Sequence, residues 1–382
     1  MCTYYCSRVI QVLTREELEY FITGSKILGC GGGGSETDAR EKIESIYGSG
    51  DGFEVAPLED IPDNQLVFIV GLVGGGVSEE MRQSVAGLKR IKQDPLILAA
   101  KRLISAIDME PYGLIASEIG PANGVAPMYA AAKLGLVTID GDCCGRAKPE
   151  IESSTTNLVG LSITPMSIVS PFGDVVMLEE VVDDSRAERI ARQVAVASGG
   201  LVGMARCPAS GSDWKRAAIP GSVSRSVNLG RAVHDARESK GDPVDAVIDC
   251  EKGYRLFTGE VQECKRDDAG GFVTGDVFIE GVSPTRDAQK SEIRIWYKNE
   301  YLCSWLDGVP FVTSPDLICV VDAETAEGLT PWEDQLTRGS RVEVIGIAND
   351  VRWRNDRGLS LFGPRHFGWD IEYIPVERSA KG

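Results

Sequence analysis

The chain has 382 residues and a formal net charge of −17, with 43% hydrophobic and 25% charged residues. This composition is typical of a globular protein that buries a core, and the acidic excess argues against nucleic acids or anionic membranes as partners, because both attract basic surfaces. No apolar run approaches the roughly 20 residues that span a bilayer, and the N-terminus has no apolar segment typical of a signal peptide. We therefore expect a cytoplasmic protein.

The first predicted helix begins after Thr14, because Thr14 and Glu17 have the spacing of a capping box, and it runs into a glycine-rich loop. A second helix is predicted over 38–46 with Asp38 as its N-cap. The apolar run 65–73 is typical of a strand buried on both faces.

Helices and strands then alternate: a helix from Pro95, a strand over 112–119, a helix over 124–135 and a strand over 136–142. This alternation indicates a parallel sheet with helical crossovers. A hairpin around Phe172, Gly173 and Asp174 and two further helices follow, and the chain is strand-rich from 245 onward. We predict an α/β N-terminal domain (residues 12–165, mainly a parallel sheet with helices) and a mainly-β C-terminal domain (residues 166–376, helices and then a sandwich or barrel).

Four consecutive glycines follow the first predicted helix: Gly31, Gly32, Gly33 and Gly34. A dinucleotide fingerprint needs a strand before its glycines, and a Walker motif needs a Lys followed by Ser or Thr after them; neither is present. Glu36 and Asp38 would also repel a phosphate, so we expect no nucleotide. The loop is either a nest of main-chain N–H groups that binds a carboxylate, a carbonyl oxygen or an oxyanion, or a packing loop in which only glycine fits.

Polar residues also follow two of the predicted strands. Glu118 ends one strand and Asn123 begins the next helix, so both lie where open parallel sheets bind ligands. The alternative for Asn123 is a helix N-cap, which does not exclude binding.

The loop after the next strand carries two carboxylates, a reactive residue type and a cation: Asp140, Asp142, Cys143 and Arg146. Two carboxylates two residues apart can bind a divalent cation or divide the roles of general acid and base. A cysteine beside Arg146 can have a lowered pKa and act as a nucleophile. The alternative is that Cys143 is a small buried side chain and that Arg146 pairs with Asp140 or Asp142.

Cysteine and histidine usage leaves few other candidates. The ten cysteines form no C-x-x-C pair and are typical of reduced thiols, and the presence of only two histidines also argues against a zinc ribbon or finger. His366 lies in a Gly/Pro-rich loop and is a candidate for substrate binding. A divalent metal is left open.

Several stretches, in the same order along residues 12–376, resemble the S-methyl thiohydantoin desulfurase-like family: "ILGCGGGG", "SEIGPANGVAPMYAAAKLGLVTIDGDCCGRAKPE" and "GPRHFGWDIEYIP". The resemblance implies an α/β domain joined to a largely β domain. It also implies hydrolysis of a five-membered cyclic amide, such as a hydantoin or thiohydantoin, with sulfur lost from the ring in the named activity. The site would comprise the glycine loop, the Glu118/Asn123 segment and the Asp140-to-Arg146 segment.

We therefore expect a hydrolase of a small cyclic amide or thioamide, in which Cys143 or a water activated by Asp140 or Asp142 attacks ring carbon 2. Glycine-loop N–H groups or Arg146 would stabilise the intermediate. We expect a homo-oligomer that binds a small-molecule substrate and neither nucleic acid nor membrane. The alternatives are a non-catalytic small-molecule binding protein and a partner subunit of a hydantoinase-type enzyme.

Overall fold

The structure, a computed structural model, describes residues 10–284 and 290–381. The elements up to residue 210 are, in chain order, β1 (Gln11–Leu13), α1 (Arg15–Leu28), α2 (Glu36–Gly48), β2 (Phe53–Pro57), β3 (Leu66–Gly74), α3 (Glu79–Val85), α4 (Pro95–Ile107), β4 (Pro111–Ile115), α5 (Pro121–Leu134), β5 (Val137–Asp142), α6 (Thr155–Leu158), β6 (Met166–Val169), β7 (Val175–Leu178), α7 (Asp184–Ala197) and β8 (Leu201–Ser210). The remaining elements are α8 (Gly211–Ala217), β9 (Ile219–Pro220), α9 (Ser222–Glu238), α10 (Pro243–Glu251), β10 (Tyr254–Ala269), β11 (Phe272–Val282), β12 (Ser291–Lys298), β13 (Glu300–Leu306), β14 (Val309–Thr313), β15 (Leu317–Asp322), β16 (Arg341–Ile347), α11 (Asp356–Phe362) and α12 (Val376–Ser379).

The first sheet has the strand order β1-β2-β5-β4-β3-β8-β6-β7, and β9 pairs with the end of β5. Strands β2, β5, β4 and β3 are parallel, and the strands on either side of them are antiparallel. The predicted parallel core with helical crossovers is thus confirmed. The sheet continues past residue 165, and the division into domains at that residue stays a prediction.

The local signals that predicted the first helices are partly confirmed. Thr14 and Glu17 form the predicted capping box of α1. The prediction of Asp38 as an N-cap was wrong, because α2 begins at Glu36 with Ser35 at the N-cap position. Asp38 instead forms an ion pair with Lys42 one turn further along the helix.

The second sheet contains seven strands in the order β14-β13-β12-β11-β10-β16-β15, and all neighbouring strands are antiparallel. Its two edge strands contact each other, so the sheet is curled, and its inward side chains form a continuous apolar core with Phe257, Ile295 and Val344 among them. The mainly-β character predicted for the C-terminal part is confirmed. Within the described residues, no helix is both long and apolar enough to cross a bilayer.

Helices α1 and α9 pack with their main chains in direct contact. A Cβ atom on Gly230 would lie 1.8 Å from the carbonyl oxygen of Tyr20, and one on Gly24 would lie 2.0 Å from that of Ser226. Helix α1 leads into the glycine loop, so this close packing holds one end of that loop.

We expect Gly230→Ala to lower the free energy of unfolding by about 1–3 kcal/mol, because the added methyl group must separate the two helices. The matched control is Gly48→Ala at the end of α2, where an added Cβ would meet nothing within 4 Å. This control should be neutral or stabilising by up to about 1 kcal/mol, since alanine favours the helix over glycine. Urea titrations measure both values, and equal effects would contradict the close packing.

Candidate functional site

A cavity of about 410 Å³ lies between the two sheets. The first part of the chain lines it with the glycine loop, the end of β3 and the segments that follow β4 and β5, and the second sheet lines it with residues near the ends of β10 and the start of β13. A volume of this size is typical of sites for small molecules. The cavity lies at the carboxyl ends of parallel strands, where the sequence predicted a site.

Glu118 lies on the wall of this cavity and is 5% exposed. The side-chain amide of Asn123 donates to Oε1 at 2.6 Å, and the main-chain N–H of Lys148 donates to Oε2 at 3.1 Å. Burial raises the pKa of Glu118 to about 7, although the charge of Lys148 and these hydrogen bonds oppose the shift. The carboxyl group can therefore gain or lose a proton near neutral pH.

Asn123 connects Glu118 to the sheet. It lies in the first turn of α5, whose N-cap is Gly120 and whose first residue is Pro121, so the interpretation of Asn123 as the N-cap was wrong. Its Oδ1 accepts a hydrogen bond from the main-chain N–H of Leu72 at 2.8 Å, while its Nδ2 holds Glu118. Asn123 lines the cavity, and its role in substrate binding stays a prediction.

Lys148 supplies a cation that the sequence analysis passed over. The side chain lines the cavity and is 5% exposed, and its Nζ has no hydrogen-bond partner among the described residues. Burial lowers the pKa of Lys148, and the nearby charge of Arg206 acts in the same direction. The sequence could have indicated Lys148 as a site candidate, because it lies shortly after Arg146 in the loop that follows a buried strand.

Glu300, the first residue of β13, supplies a second carboxyl group that the sequence analysis did not identify. It lines the cavity and is 3% exposed, and its Oε2 has no hydrogen-bond partner in the described part of the chain. Burial raises the pKa of Glu300 well above its ordinary value, and the neighbouring carboxyl of Glu118 raises it further. No local pattern around Glu300 indicates its burial.

The glycine run reaches the cavity with Gly32, Gly33 and Gly34, whereas Gly31 lies outside the lining. The carbonyl oxygen of Gly31 accepts a hydrogen bond from the Trp332 indole at 2.8 Å. The packing alternative is supported by the close approach of the main chains of Gly33 and Gly120. The nest of N–H groups stays a prediction.

The two aspartates of the next loop, Asp140 and Asp142, do not line the cavity. Asp140 Oδ1 accepts from the main-chain N–H of Val223 at 2.8 Å, at the start of α9. Asp142 Oδ2 accepts from the N–H groups of Cys144 and Gly145, both at 2.7 Å. Both carboxylates thus hold main chain in place, and this placement does not favour the predicted roles of acid, base or metal ligand.

Cys143 and Arg146 are also buried away from the cavity. The Cys143 thiol lies 3.5 Å from the carbonyl oxygen of Ala116, and burial raises its pKa to about 11, so the nucleophilic thiolate is scarce at neutral pH. Arg146 donates to the carbonyl oxygens of Tyr301 and Asp316, both at 2.7 Å. The alternative interpretation, in which Arg146 pairs with Asp140 or Asp142, was therefore wrong. Arg146 instead joins the loop to the second sheet.

His366 lies beside a neighbouring groove and shares Glu150 with the cavity. Its Nε2 is 2.6 Å from Glu150 Oε2, and Lys298 also pairs with Glu150. Although burial acts in the opposite direction, His366 and Lys298 lower the pKa of Glu150 to about 2. Glu150, Glu152 and His366 offer ligand atoms within 4.8 Å of one another, but Lys298 already supplies a cation there. A divalent metal and a substrate contact of His366 both stay predictions.

The raised pKa of Glu118 predicts a pH dependence of stability. Between its ordinary pKa of 4.5 and about 7, the folded protein retains a proton that the unfolded chain has lost. The free energy of unfolding therefore falls as the pH rises through this window, by about 3 kcal/mol at most from this group. In urea titrations over the same window, we expect Glu118→Gln to lose less stability than the parent protein. Parallel curves for the two proteins would refute the raised pKa.

Comparisons with known proteins agree with the architecture. The family model described as S-Me-THD-like, N-terminal domain, matches residues 16–180, and the one described as S-Me-THD-like, C-terminal domain, matches residues 182–376. A crystal structure of a protein from Chromobacterium violaceum is similar with a TM-score of 0.76 and 23% identity over 96% of this chain and 100% of that chain, a likeness of fold alone. No curated protein matches the chain. Because the two family models cover nearly the whole chain in the expected order, the protein belongs to the S-Me-THD-like family, as its sequence resemblance predicted.

Proposed function

We propose that this protein hydrolyses a small five-membered cyclic amide or thioamide of the hydantoin type, with sulfur lost from an S-methylated ring. The observation that carries the proposal is the buried carboxyl group of Glu118, whose pKa is raised to about 7, on the wall of a cavity of about 410 Å³. The same cavity is lined by Lys148, whose ammonium group has no hydrogen-bond partner among the described residues. A general base works best when its pKa lies near the operating pH. The family description supports the substrate class.

In the proposed reaction, the Glu118 carboxylate takes a proton from water as the water oxygen bonds to ring carbon 2. The electron pair of the ring C=N bond moves to nitrogen, which is protonated, and the bond from carbon to sulfur then breaks with its electrons leaving on sulfur. One water is consumed: its oxygen becomes the ring carbonyl oxygen, and its two protons end on the ring nitrogen and on methanethiol. The products are a hydantoin and methanethiol.

Lys148 is suited to stabilise the negative charge that develops during attack. Its ammonium group has three N–H donors, and none is used by another described residue. A donor placed in a site from which water is excluded acts without reorganisation, and removing one such donor costs on the order of 10²–10³ in rate.

The route through water is preferred here to the route through Cys143. A cysteine nucleophile would have to reach the substrate, but Cys143 is fully buried outside the cavity and holds its proton tightly. Glu118 needs no such movement, because its carboxyl group already lies on the cavity wall.

We expect Glu118→Gln to reduce the release of methanethiol from S-methylated thiohydantoins by about 10²–10⁴-fold, since glutamine cannot accept the proton. The matched control is Glu343→Gln, because Glu343 is also 5% exposed with a raised pKa but lies outside the cavity. Cys143→Ala should retain turnover. A thiol-reactive dye follows the product. Unchanged turnover in Glu118→Gln would refute the proposal, and binding of the ring by the parent without product would favour the non-catalytic alternative.

The pH profile gives a second test of the same assignment. We expect kcat/KM to rise with pH through about 7 as Glu118 loses its proton. In Lys148→Met, the positive charge that lowers the pKa of Glu118 is absent. The acid limb of the profile, where kcat/KM rises with pH, should therefore move to higher pH, while the maximal rate falls by about 10²–10³-fold. An acid limb at the same pH in both proteins would show that Glu118 is not the titrating base.

A further inference from the structure

The carboxyl group of Glu300 makes no hydrogen bond or ion pair with a described residue that would explain its burial. It is buried in the wall of the cavity, forms no ion pair with any described residue, and its Oε2 has no hydrogen-bond partner there. Leaving a buried polar group unpaired costs free energy, so such a group is a candidate for a ligand contact. Asn299, the residue before it, and Trp332, in the segment between β15 and β16, also line the cavity.

The glycine loop makes room for this carboxyl group. A Cβ atom on Gly32 would lie 1.9 Å from Glu300 Oε1, so any other residue there would push the carboxyl group away. Gly32 also lines the cavity. The position of Glu300 therefore depends on a glycine at position 32, and glycine loses more backbone entropy on folding than other residues.

The surroundings of the two cavity glutamates assign them different protonation states. Glu118 accepts hydrogen bonds from Asn123 and from the main chain of Lys148, which favour its ionised form. Glu300 has no such donors, and burial together with the Glu118 charge keeps its proton in place, although Arg146 and Arg192 act in the opposite direction. When two neighbouring carboxyl groups differ in this way, one acts as the base and the other stays a neutral acid.

A neutral carboxylic acid offers an O–H donor and a C=O acceptor side by side. The complementary partner is an N–H next to a C=O in a cis amide, which a five-membered ring enforces. In a hydantoin-type ring that is S-methylated at carbon 2 and carries its proton on N3, one such pair is present: N3–H and the C4 carbonyl.

We propose that Glu300 is a specificity-determining residue that binds the N3–H and C4=O edge of the heterocycle through two paired hydrogen bonds. Glu118 and Lys148 then act on the adjacent carbon 2 of the same ring. This inference rests on the proposed function, because it names the part of that substrate which the second sheet recognises. It also explains why one wall of the cavity comes from the second sheet.

The inference is tested by calorimetric binding of three product-like probes: hydantoin, 1-methylhydantoin and 3-methylhydantoin. The parent protein should bind hydantoin and 1-methylhydantoin alike and 3-methylhydantoin about 10–100-fold more weakly, because the last lacks the N3–H donor and leaves a buried acceptor unpaired. Glu300→Gln should bind hydantoin within about tenfold of the parent, since an amide also offers a donor and an acceptor. Glu300→Met should bind hydantoin about 10–100-fold more weakly and should no longer distinguish the two methylated rings.

Glu343→Gln serves as the control and should match the parent for all three probes. Equal losses in Glu300→Gln and Glu300→Met would overturn the paired hydrogen bonds, because an ionised carboxylate would then be the required form. Equal affinities of the parent for the two methylated rings would overturn the assignment of the edge. With either result, release of methanethiol that depends on Glu118 would leave the proposed function intact, whereas no binding and no turnover in the parent would overturn both.

The variants also report on folding. Replacing the unpaired carboxyl group by the apolar Met should raise the midpoint of thermal unfolding of the ligand-free protein. If Glu300→Met does not fold, Glu300→Gln and the 3-methyl probe still decide the inference: a Gln variant that loses hydantoin binding, or a parent that binds 3-methylhydantoin as tightly as hydantoin, refutes it.

Discussion

The arrangement of the cavity depends on one buried cation, Arg146. Its guanidinium group donates to the carbonyl oxygens of Tyr301 and Asp316 in the second sheet, and the side chain is completely buried. Because a buried charge without these acceptors would be very unfavourable, the distance between the two sheets at this point is strongly constrained. Lys148 follows Arg146 closely in the chain, and Glu300 directly precedes Tyr301. One interaction therefore places a cation and a carboxyl group on opposite walls of the same cavity.

The polar groups of the cavity are held in a state that costs stability. The Lys148 ammonium and the Glu300 carboxyl are buried without partners among the described residues, and the Glu118 carboxyl has its pKa raised to about 7 by burial. Structures retain such groups where a ligand supplies the missing partners, and the surrounding packing must offset the cost. The carboxylates of Asp140 and Asp142 show the contrast, because main-chain N–H groups and serine hydroxyl groups of the β5 loop and of α9 donate to them.

Local signals sufficed for the fold and for one wall of the cavity. The apolar run of β3 and the alternating helices predicted the parallel sheet. The strand predicted over 112–119 ends earlier, at Ile115, but Glu118 lies just beyond it and lines the cavity as the rule for parallel sheets predicted. Asp140 and Asp142 follow the same rule, but a carboxylate at a strand end that binds substrate looks like one that caps a helix far along the chain. Glu300 could not be predicted, because its burial arises only when distant segments meet.

The four glycines owe their place to that meeting of segments. A Cβ on Gly33 would lie 2.4 Å from the Cα of Gly120, so the main chains of the loop and of the start of α5 are in direct contact. Gly32 faces the Glu300 carboxyl in the same way. A side chain at Gly33 would push the loop away from α5, where Glu118 is held, and one at Gly32 would push Glu300 out of the cavity wall. By its lack of side chains, the glycine run lets two glutamates from different parts of the chain share one cavity.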